Sequence, residues 1–369
     1  MIALTYPWII GLLVVVALIL AVRKRFVIGG ICFLVSLLLN WYCECFALNV
    51  FRDSNMIDNH IIKVMTWNVN ADKDTPKQKL EAIANIIFDE DPDIVFVSEL
   101  FWDTSDTLTC LLTERYPFTT DTKQDHDRGH FVYSKYHLSN PVFLLEDVWN
   151  GLVLSTRVFI GTDSLMLYGC HLASNNYDAD RVYMTPDSIR SKQNVLSYIK
   201  NVRRSSEIRC QQSHAIVSEL IEHDAPVIVM GDMNDVCGSP CMKVFAEAGL
   251  KDAWWEGGFG YGATIHKPMP YRIDHVMFGK GLKLKGIKIV SSKGLSDHDA
   301  LVADFVISNN KDSMEWYTWI FSGIGVAILG WIGAYVFRKK NNEGKNAKIK
   351  GNGNVTIQNS DNSKITIKK

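Results

Sequence analysis

Acidic, amide and imidazole side chains follow apolar runs at several places in this 369-residue chain. In the stretch 227–234, four apolar residues lead into Gly231, and Asp232 and Asn234 follow with one residue between them. A continuous apolar run predicts a buried strand, and Gly231 allows the chain to leave the sheet. Residues i and i+2 of an extended segment point the same way, so a carboxylate and an amide are presented together. This arrangement is typical of active sites at strand ends, although a strand followed by an Asx turn gives the same pattern.

Further apolar runs deliver polar side chains in the same way. They place Asn68 after 61–67, Glu99 within 93–100, His171 within 165–172, Asp274 within 272–278, and Asp297 and His298 just before a final strand. Oxygen donors of this kind suit a hard divalent ion such as Mg²⁺, with water and substrate phosphate completing the coordination. An Asp–His pair prepares a general base or a charged hydrogen-bond donor. Because Asp297 and His298 are neighbours in sequence, which carboxylate faces which imidazole stays open.

The segments between these runs predict helices. Apolar residues recur at helical spacing over 76–89 and in most of 190–222, and residues 107–116 are predicted to form another helix. Residues 129–135 and 151–159 alternate in the manner of strands from a two-sided sheet. The large central part of the chain is therefore predicted to contain strands and helices in alternation, with a polar residue at the end of most strands.

Together, these pieces resemble a known family, the endonuclease/exonuclease/phosphatase superfamily, over roughly residues 60–308. The matching motifs, in the family's order, are Thr66-Trp-Asn68, Ser98-Glu99, Gly129 to Ser134, His171-Leu172, Arg190-Ser-Lys-Gln193, Gly231-Asp-Met-Asn234, Ile273-Asp274 and Ser296-Asp-His298. Any one motif is weak, but six or more in the right order are specific. The resemblance implies a four-layer α/β (α+β) fold, in which two β-sheets form a sandwich flanked by helices. It also implies Mg²⁺- or Mn²⁺-dependent cleavage of phosphoesters.

The resemblance further implies roles for eight residues. The implied metal ligands are Asn68, Glu99 and Asp297, and the implied catalytic residues are His171, Asp232, Asn234, Asp274 and His298. Asp232 resembles the residue that orients or activates the attacking water, and Asn234 resembles a phosphate ligand. His171 resembles a donor to the phosphate or the leaving group. His298 resembles the imidazole that faces the scissile phosphate, and Asp274 the carboxylate that often pairs with it.

Three apolar runs predict membrane segments, and they raise the apolar share of the chain to 47%. They cover about residues 6–22, 26–48 and 315–337, each close to the ~20 residues that span a bilayer. The predicted domains are accordingly 1–51 with two spans, 52–314 with the catalytic domain, 315–337 with a third span, and 338–369 as a tail. A cleavable signal peptide is the alternative for the first run, but its basic cluster follows the run instead of preceding it.

Basic clusters indicate the orientation of these segments, because they favour the cytoplasmic side. Arg23–Arg25 lies between the first two runs and Arg338–Lys340 follows the third. Both clusters are cytoplasmic only if the catalytic domain lies outside the cytoplasm, so we expect a multi-pass protein of the cell membrane with a cytoplasmic tail. An outside location permits disulfides, and Cys237 and Cys241 are close enough in sequence to form one.

The substrate is the least determined feature. Residues 60–308 carry 33 acidic and 25 basic side chains, a net charge of −8, which does not favour non-specific nucleic-acid binding. A local basic cluster or a solvated helix face is formed by Lys200, Arg203, Arg204 and Arg209. We expect a membrane-tethered nuclease or phosphodiesterase acting on nucleic acid. Alternatives are a phospholipid head-group phosphodiesterase or phosphatase, and a membrane scaffold that recruits a partner.

The polar tail underlies the scaffold alternative. Its sequence repeats with a period of ten, since Asn352-Gly-Asn-Val-Thr-Ile357 recurs as Asn362-Ser-Lys-Ile-Thr-Ile367. Such a tail is disordered on its composition, or it forms a hairpin or a stacking β unit. Two isolated strands are marginally stable, so an ordered tail implies self-association or a protein partner for residues 341–369.

Overall fold

The structure is a computed structural model that describes residues 2–49, 61–120, 128–145, 151–175, 192–221, 225–267 and 269–307. The helices are α1 (Tyr6–Val22), α2 (Phe26–Cys43), α3 (Lys77–Glu90), α4 (Trp102–Leu112), α5 (Lys192–Leu220), α6 (Pro240–Glu247) and α7 (Ala253–Gly257). The strands are β1 (Ala47–Leu48), β2 (Ile61–Ala71), β3 (Ile94–Phe101), β4 (Phe118–Thr119), β5 (Arg128–Ser134), β6 (His137–Leu138), β7 (Val142–Leu145), β8 (Leu152–Ile160), β9 (Asp163–His171), β10 (Val227–Asp232), β11 (Lys251–Asp252), β12 (Phe259–Gly260), β13 (Asp274–Phe278), β14 (Leu282–Val290) and β15 (Ala300–Ile307).

Two large sheets form the body of the domain. One has six strands in the order β14-β15-β2-β3-β5-β4. The other has seven, in the order β11-β13-β10-β9-β8-β6, with β7 also paired to β8. Each sheet contains one parallel pair, β2 with β3 and β9 with β10, and the remaining pairs are antiparallel. The predicted strand–helix alternation thus builds two mixed sheets.

Three apolar cores hold the layers together. Side chains from both sheets, including Phe96 and Leu167, interdigitate in a central core. On the outer face of the six-stranded sheet, α3 and α4 pack through residues such as Ile83. On the outer face of the seven-stranded sheet, α5 and α6 pack through residues such as Ile216 and Phe245. The fold is therefore the predicted sandwich of two sheets flanked by helices.

The first two apolar runs form a pair of packed helices, α1 and α2. Both are long and apolar enough to cross a membrane, and only 17% and 22% of their apolar windows are buried. The core helices of a soluble protein are mostly buried. By contrast, α1 and α2 leave large apolar side chains such as Leu12 and Leu38 exposed. Gly29 makes the close packing possible, because a Cβ there would lie 3.1 Å from the Ala17 carbonyl oxygen.

The second predicted span is too long by five residues. Helix α2 ends at Cys43, and Ala47 and Leu48 form strand β1, which pairs with β12 of the sandwich domain. The side chain of Asn40 fixes the change of direction, because it donates to the Phe46 carbonyl (2.9 Å) and accepts from the Phe46 N–H (2.8 Å). An apolar composition alone does not reveal this turn.

The predicted third span at 315–337 and the repeat-bearing tail at 338–369 lie outside the described residues. Cys237 and Cys241 are both free thiols. Cys237 packs with Ile10, Cys43 and Cys45 near the end of α2, whereas Cys241 belongs to the core beneath α5 and accepts a hydrogen bond from Ser213. The two thiols thus occupy different environments, and the suggested bridge between them is not formed.

Candidate active site

The strand order brings the predicted polar residues to one edge of the sandwich. Asn68 and Glu99 come from the parallel strands β2 and β3, and His171 and Asp232 lie opposite each other on the parallel strands β9 and β10. The antiparallel β13 begins at the same edge, because Asp274 is paired with Asp232. Strand β15 also begins there, since Leu301 is paired with Thr66, and it is preceded by Asp297 and His298.

Irregular backbone at this edge turns the side chains toward one another. The pairing of β2 with β3 shifts after Asn68, and the pairing of β3 with β5 shifts between Val97 and Leu100, on either side of Glu99. Such bulges commonly re-aim side chains beside active sites. Glu99 and Asn234 also adopt positive φ angles, 55° and 50°. These conformations are strained for non-glycine residues and cluster at functional sites.

Gly231 is required for the approach of β10 to β9. Its φ is +141°, and a Cβ on it would lie 1.9 Å from the backbone oxygen of Cys170. Any side chain would therefore push apart the two strands that carry His171 and Asp232. The glycine inferred from sequence to end the strand has a second role as a spacer.

The two sheets meet through the amide of Asn68. Its Nδ2 donates to Glu99 Oε1 (3.0 Å) and to Asp232 Oδ2 (3.1 Å). Two overlapping groups of ligand atoms, each within 4.8 Å of one another, form around Asp232: one with Glu99 and His171, the other with Asp274 and His298. Six of the eight predicted residues are thereby gathered at one place.

His298 lies between two carboxylates. Its Nδ1 is 2.8 Å from Asp274 Oδ2, and its Nε2 is 3.8 Å from Asp232 Oδ2. Burial alone would lower the pKa of His298, but Asp274 and Asp232 outweigh it and raise the pKa to about 10. The imidazole is therefore a cation at neutral pH. Asp274, and not the neighbouring Asp297, orients the ring, which answers the question that the sequence left open.

Asp232 is almost fully buried, with 2% of its side chain exposed. Its burial and the charge of Asp274 raise its pKa above that of an ordinary aspartate, while His298 and His171 act in the opposite direction. Asp232 also accepts a hydrogen bond from the Asn234 N–H at 2.8 Å, which fixes one of its oxygens. The other oxygen faces Asn68 and the two imidazoles.

A divalent ion fits this set of donors. Glu99 and His171 stay partly exposed, at 18% and 15%, so the group can be reached from solvent. Asp274 Oδ1 is buried and has no hydrogen-bond partner in the described part of the chain. The amide of Asn68, turned about its last side-chain bond, would present its oxygen beside Glu99. Carboxylate and amide oxygens are the ligands that Mg²⁺ takes.

Asn234 and Asp297 lie at the margin of the site. Asn234 Nδ2 donates to the Leu172 carbonyl (2.9 Å), which ties the loop after β10 to the loop after β9. Asp297 accepts from Asn70 Nδ2 at 3.1 Å and is approached by the Ser296 hydroxyl at 3.4 Å. The Ser296 hydroxyl also donates to the Asn68 carbonyl (2.7 Å). The roles assigned to Asn234 and Asp297 stay predictions.

Buried residues of helix α5 support the same loops, and the sequence interpretation missed them. Arg209 donates to Asp235 Oδ2 (3.0 Å) and to the Ala173 carbonyl (2.8 Å). Gln212 accepts from the Ala173 N–H at 3.0 Å. Arg209 is only 2% exposed and is not part of a surface basic cluster, whereas Arg203 is exposed and pairs with Glu207. The Arg-x-x-Gln spacing noted at 190–193 recurs at 209–212, and this repeat is the signal that could have identified Arg209 and Gln212.

His130 is a further imidazole beside the site, and it is buried. Its ring centroid lies 5.3 Å from that of His171, and it stacks near Phe96 at 6.0 Å. Burial lowers its pKa well below the ordinary value for histidine. It therefore stays neutral and supports one side of the His171 ring. The sequence placed it within a matching motif but gave no reason to single it out.

The architecture and the edge site define the class of this protein, a four-layer α/β sandwich with acidic and imidazole groups gathered at one edge. Residues 65–298 match the Endonuclease/Exonuclease/phosphatase family, and the chain belongs to that family. The family consists of phosphoester hydrolases that use divalent metals. No curated protein matched the chain.

Solved structures share the fold at low sequence identity. The catalytic domain of human Nocturnin with bound sulfate has a TM-score of 0.51 and 18% identity, covering 67% of this chain and 95% of that one. An endonuclease/exonuclease/phosphatase from Bacteroides vulgatus has a TM-score of 0.51 and 18% identity, covering 68% and 100%. D. rerio TDP2 complexed with single-strand DNA product has a TM-score of 0.50 and 17% identity, covering 68% and 100%. At these identities the likeness concerns the fold.

Proposed function

We propose that the protein is a divalent-metal-dependent phosphodiesterase, tethered to a membrane, that cleaves nucleic acid. The observation that carries the proposal is the convergence of Glu99 and Asp232 on the amide of Asn68, with His298 Nε2 3.8 Å from Asp232 Oδ2, at the edge where two sheets meet. Phosphoester cleavage requires positive charge near a phosphate and a base near the attacking water. The site supplies groups of both kinds within a few ångströms.

The proposed chemistry divides the roles among these residues. Glu99 and Asn68 would hold Mg²⁺ or Mn²⁺, with Asp297 as a further carboxylate, and the bound ion would neutralise charge on the phosphate. Asp232 orients the attacking water and accepts its proton, because burial and Asp274 make it a stronger base than a surface aspartate. The water oxygen bonds to phosphorus as the ester P–O bond breaks.

Imidazole and amide groups would contact the non-bridging and leaving-group oxygens of the phosphate. His298, kept cationic by Asp274, donates to a non-bridging oxygen and stabilises charge as it builds. Asn234 binds the phosphate, and His171 stands on the leaving-group side, where it can donate a hydrogen bond to the departing oxygen, which leaves with a proton from solvent. These assignments transfer the family pattern to the observed geometry.

Two considerations bear on the substrate. D. rerio TDP2, which shares the fold, is complexed with a single-strand DNA product, and this supports nucleic acid. The net charge of −8 in residues 60–308 opposes broad electrostatic binding of nucleic acid. A phospholipid head group is the second candidate, favoured by the apolar pair α1 and α2 that packs directly on the catalytic domain.

We infer the domain organisation and location in the same way. Residues 1–51 would anchor the catalytic domain at 52–314, residues 315–337 would form a third span, and 338–369 a cytoplasmic tail. The exposed apolar surface of α1 and α2 supports the anchor, since such surface needs a bilayer or a partner to cover it. A partner bound through 341–369 would add recruitment to catalysis.

The full-length chain, purified in detergent, should nick supercoiled plasmid in the presence of Mg²⁺ and stop doing so in EDTA. Glu99→Gln and His298→Gln should each lower the rate by about 10²–10³-fold, because each removes charge stabilisation of the transition state. The matched controls Glu81→Gln, in an exposed pair with Lys77, and His214→Gln, exposed on α5, should keep the wild-type rate.

A parallel assay should measure head-group release from phospholipid vesicles. Nicking with little release supports the nucleic-acid substrate, and release without nicking moves the proposal to the phospholipid alternative. Nicking that survives His298→Gln unchanged would contradict the proposed mechanism.

A further inference from the structure

A two-stranded ribbon lies where the N-terminal helices join the catalytic domain. It consists of β1 and β12, which pair antiparallel with Ala47 opposite Gly260 and Leu48 opposite Phe259. Side chains directly opposite each other in such a pair point to the same face. Ala47 is buried, so the face with Leu48 and Phe259 is turned outward. We call these two side chains the ribbon face.

The ribbon face is apolar and exposed. Leu48 is 62% exposed and Phe259 is 65% exposed. The segments that contain them, 45–51 and 257–265, carry no charged residue. Apolar side chains scattered singly over a surface need no explanation, but neighbouring ones in uncharged segments are typical of an interaction surface.

Hydrogen bonds hold the backbone on both sides of Phe259. The Asn49 amide donates to the Gly258 carbonyl at 3.1 Å, and Trp254 Nε1 donates to the Gly260 carbonyl at 3.1 Å. The backbone cannot turn the Phe259 ring inward without breaking these bonds. The fold therefore keeps the ring on the outside.

The ribbon begins beside the last turn of α2. The Asn40 side chain donates to the Phe46 carbonyl and accepts from the Phe46 N–H, so the chain reverses after α2 and returns to the level of Asn40. Leu48 follows Phe46 by two residues, at most about 7 Å along the chain. The ribbon face is thus close to the level of this last turn of the helix.

The last turn of α2 also carries Trp41 and Tyr42, and both are exposed. Trp and Tyr near the end of an apolar span are typical of the head-group level of a bilayer. Earlier in α2, Leu38 is one of many exposed apolar side chains. The ribbon face therefore continues the exposed apolar surface of α2 at the level of its aromatic residues. This step rests on the proposed membrane anchoring of α1 and α2.

We propose that the ribbon face docks into the head-group region of the bilayer, so that its partner is lipid. Leu48 and Phe259 would leave water at the boundary between head groups and acyl chains, where apolar and aromatic side chains bind. An uncharged surface does not suit nucleic acid, whose binding requires basic side chains. Held by both α2 and the ribbon, the catalytic domain would keep one orientation on the membrane instead of swinging on its tether.

Photolabelling from the lipid tests this docking. The full-length chain is placed in phosphatidylcholine nanodiscs that contain a fraction of phosphatidylcholine with a diazirine near the start of an acyl chain, and adducts are mapped by mass spectrometry. Segments 45–49 and 257–262 should be labelled at least about tenfold more than 152–160, which contains the exposed Phe159. Phe159 is a matched control, because β8 lies four strands from β11, the strand that leads into α7 and β12.

A charge at the ribbon face should prevent the docking. In Phe259→Asp, labelling of 45–49 should fall about tenfold together with that of 257–262, because a carboxylate is costly to transfer from water to an apolar region. Phe159→Asp should keep the wild-type labelling. The unfolding midpoint in detergent, unchanged in both variants, would show that the loss does not come from unfolding.

Labelling of α1 and α2 separates this proposal from the proposed tether. If Leu12 and Leu38 are labelled and the ribbon is not, the docking is wrong and the tether stands. If α1 and α2 are also unlabelled, both proposals are wrong. The photoreactive p-benzoylphenylalanine in place of Phe259 should cross-link to lipid, and cross-linking to protein alone would assign the ribbon face to a protein partner. None of these readouts depends on hydrolysis.

Discussion

At the scale of single residues, the site depends on which neighbours each polar group meets. The sequence identified Asn68, Glu99, His171 and Asp232 because each lies at the end of an apolar strand, and His298 because it lies just before one. The structure places all five at one edge. The residues alone left the carboxylate partner of His298 undecided. The position of His298 next to Asp297 in the sequence does not show which residue of a neighbouring strand lies opposite it. That partner, Asp274, is set by the pairing of β13 with β10.

The pKa of His298 predicts a pH-dependent stability of the metal-free protein. An unfolded histidine titrates near pH 6.5, whereas His298 keeps its proton to about pH 10 in the fold. Between these values the folded state binds more protons than the unfolded state, so this contribution is complete below about pH 6 and is lost as the pH rises toward 10. In EDTA, the unfolding midpoint should be at least about 3 °C lower at pH 9.5 than at pH 6.5.

Substitution separates this effect from general alkaline unfolding. His298→Gln removes the titrating group, so its midpoint should change less across the same pH range. His214→Gln, on the exposed face of α5, should follow the wild type. The measurement is thermal unfolding by circular dichroism in EDTA, and equal pH slopes for all three proteins would contradict the assigned ion pair.

At the scale of elements, most helices and strands could be predicted from their apolar patterns, because each helix buries one apolar face and the central strands are buried on both. The strand predicted at 61–67 continues to residue 71. The polar Asn68 ends the apolar run in the sequence, but the pairing with β3 resumes at Ala71 after a bulge. The role of α5 could not be predicted this way. Helical spacing identifies its buried face, but it does not show that Arg209 is covered by loops from β9 and β10.

Arg209 should therefore influence catalysis without touching the substrate. Arg209→Lys keeps the charge but loses the planar set of donors that joins Asp235 to Ala173, so the loops carrying His171 and Asn234 should lose their fixed spacing. We expect kcat to fall about tenfold, corresponding to about 1.4 kcal/mol of transition-state stabilisation, with little change in KM. Steady-state kinetics on a short oligonucleotide would measure both constants at a temperature where the variant stays folded.

The same helix offers a matched control. Arg203 is exposed and pairs with Glu207 one turn away, so Arg203→Lys should change stability by no more than about 0.5 kcal/mol and leave kcat unchanged. A rise in KM with constant kcat for Arg209→Lys would instead assign the residue to substrate binding.

At the scale of the whole molecule, the N-terminal helices and the catalytic domain share structure. Strand β1 pairs with β12, Asn49 donates to the carbonyls of Trp255 (2.8 Å) and Gly258 (3.1 Å), and the Glu44 carbonyl accepts from Arg272. Arg272 lies two residues before Asp274. The N-terminal helices are thus joined to the strand that orients His298. Hydropathy alone could not indicate this, since it locates apolar runs but not what their ends contact.

This shared structure gives the proposed topology a specific consequence. Because residues 43–49 pack on the catalytic domain, the end of α2 and the domain must lie on the same side of the membrane. The basic turn Arg23–Arg25 at the opposite end of α2 would then face the cytoplasm, and the apolar run at 315–337 would return the chain to the side of that turn. We expect alkaline phosphatase fused after residue 310 to be active and a fluorescent protein fused there to be dark, with the reverse result after residue 369. Matching results at both positions would rule out the three-span arrangement, and a cytoplasmic signal after residue 310 would reverse the orientation.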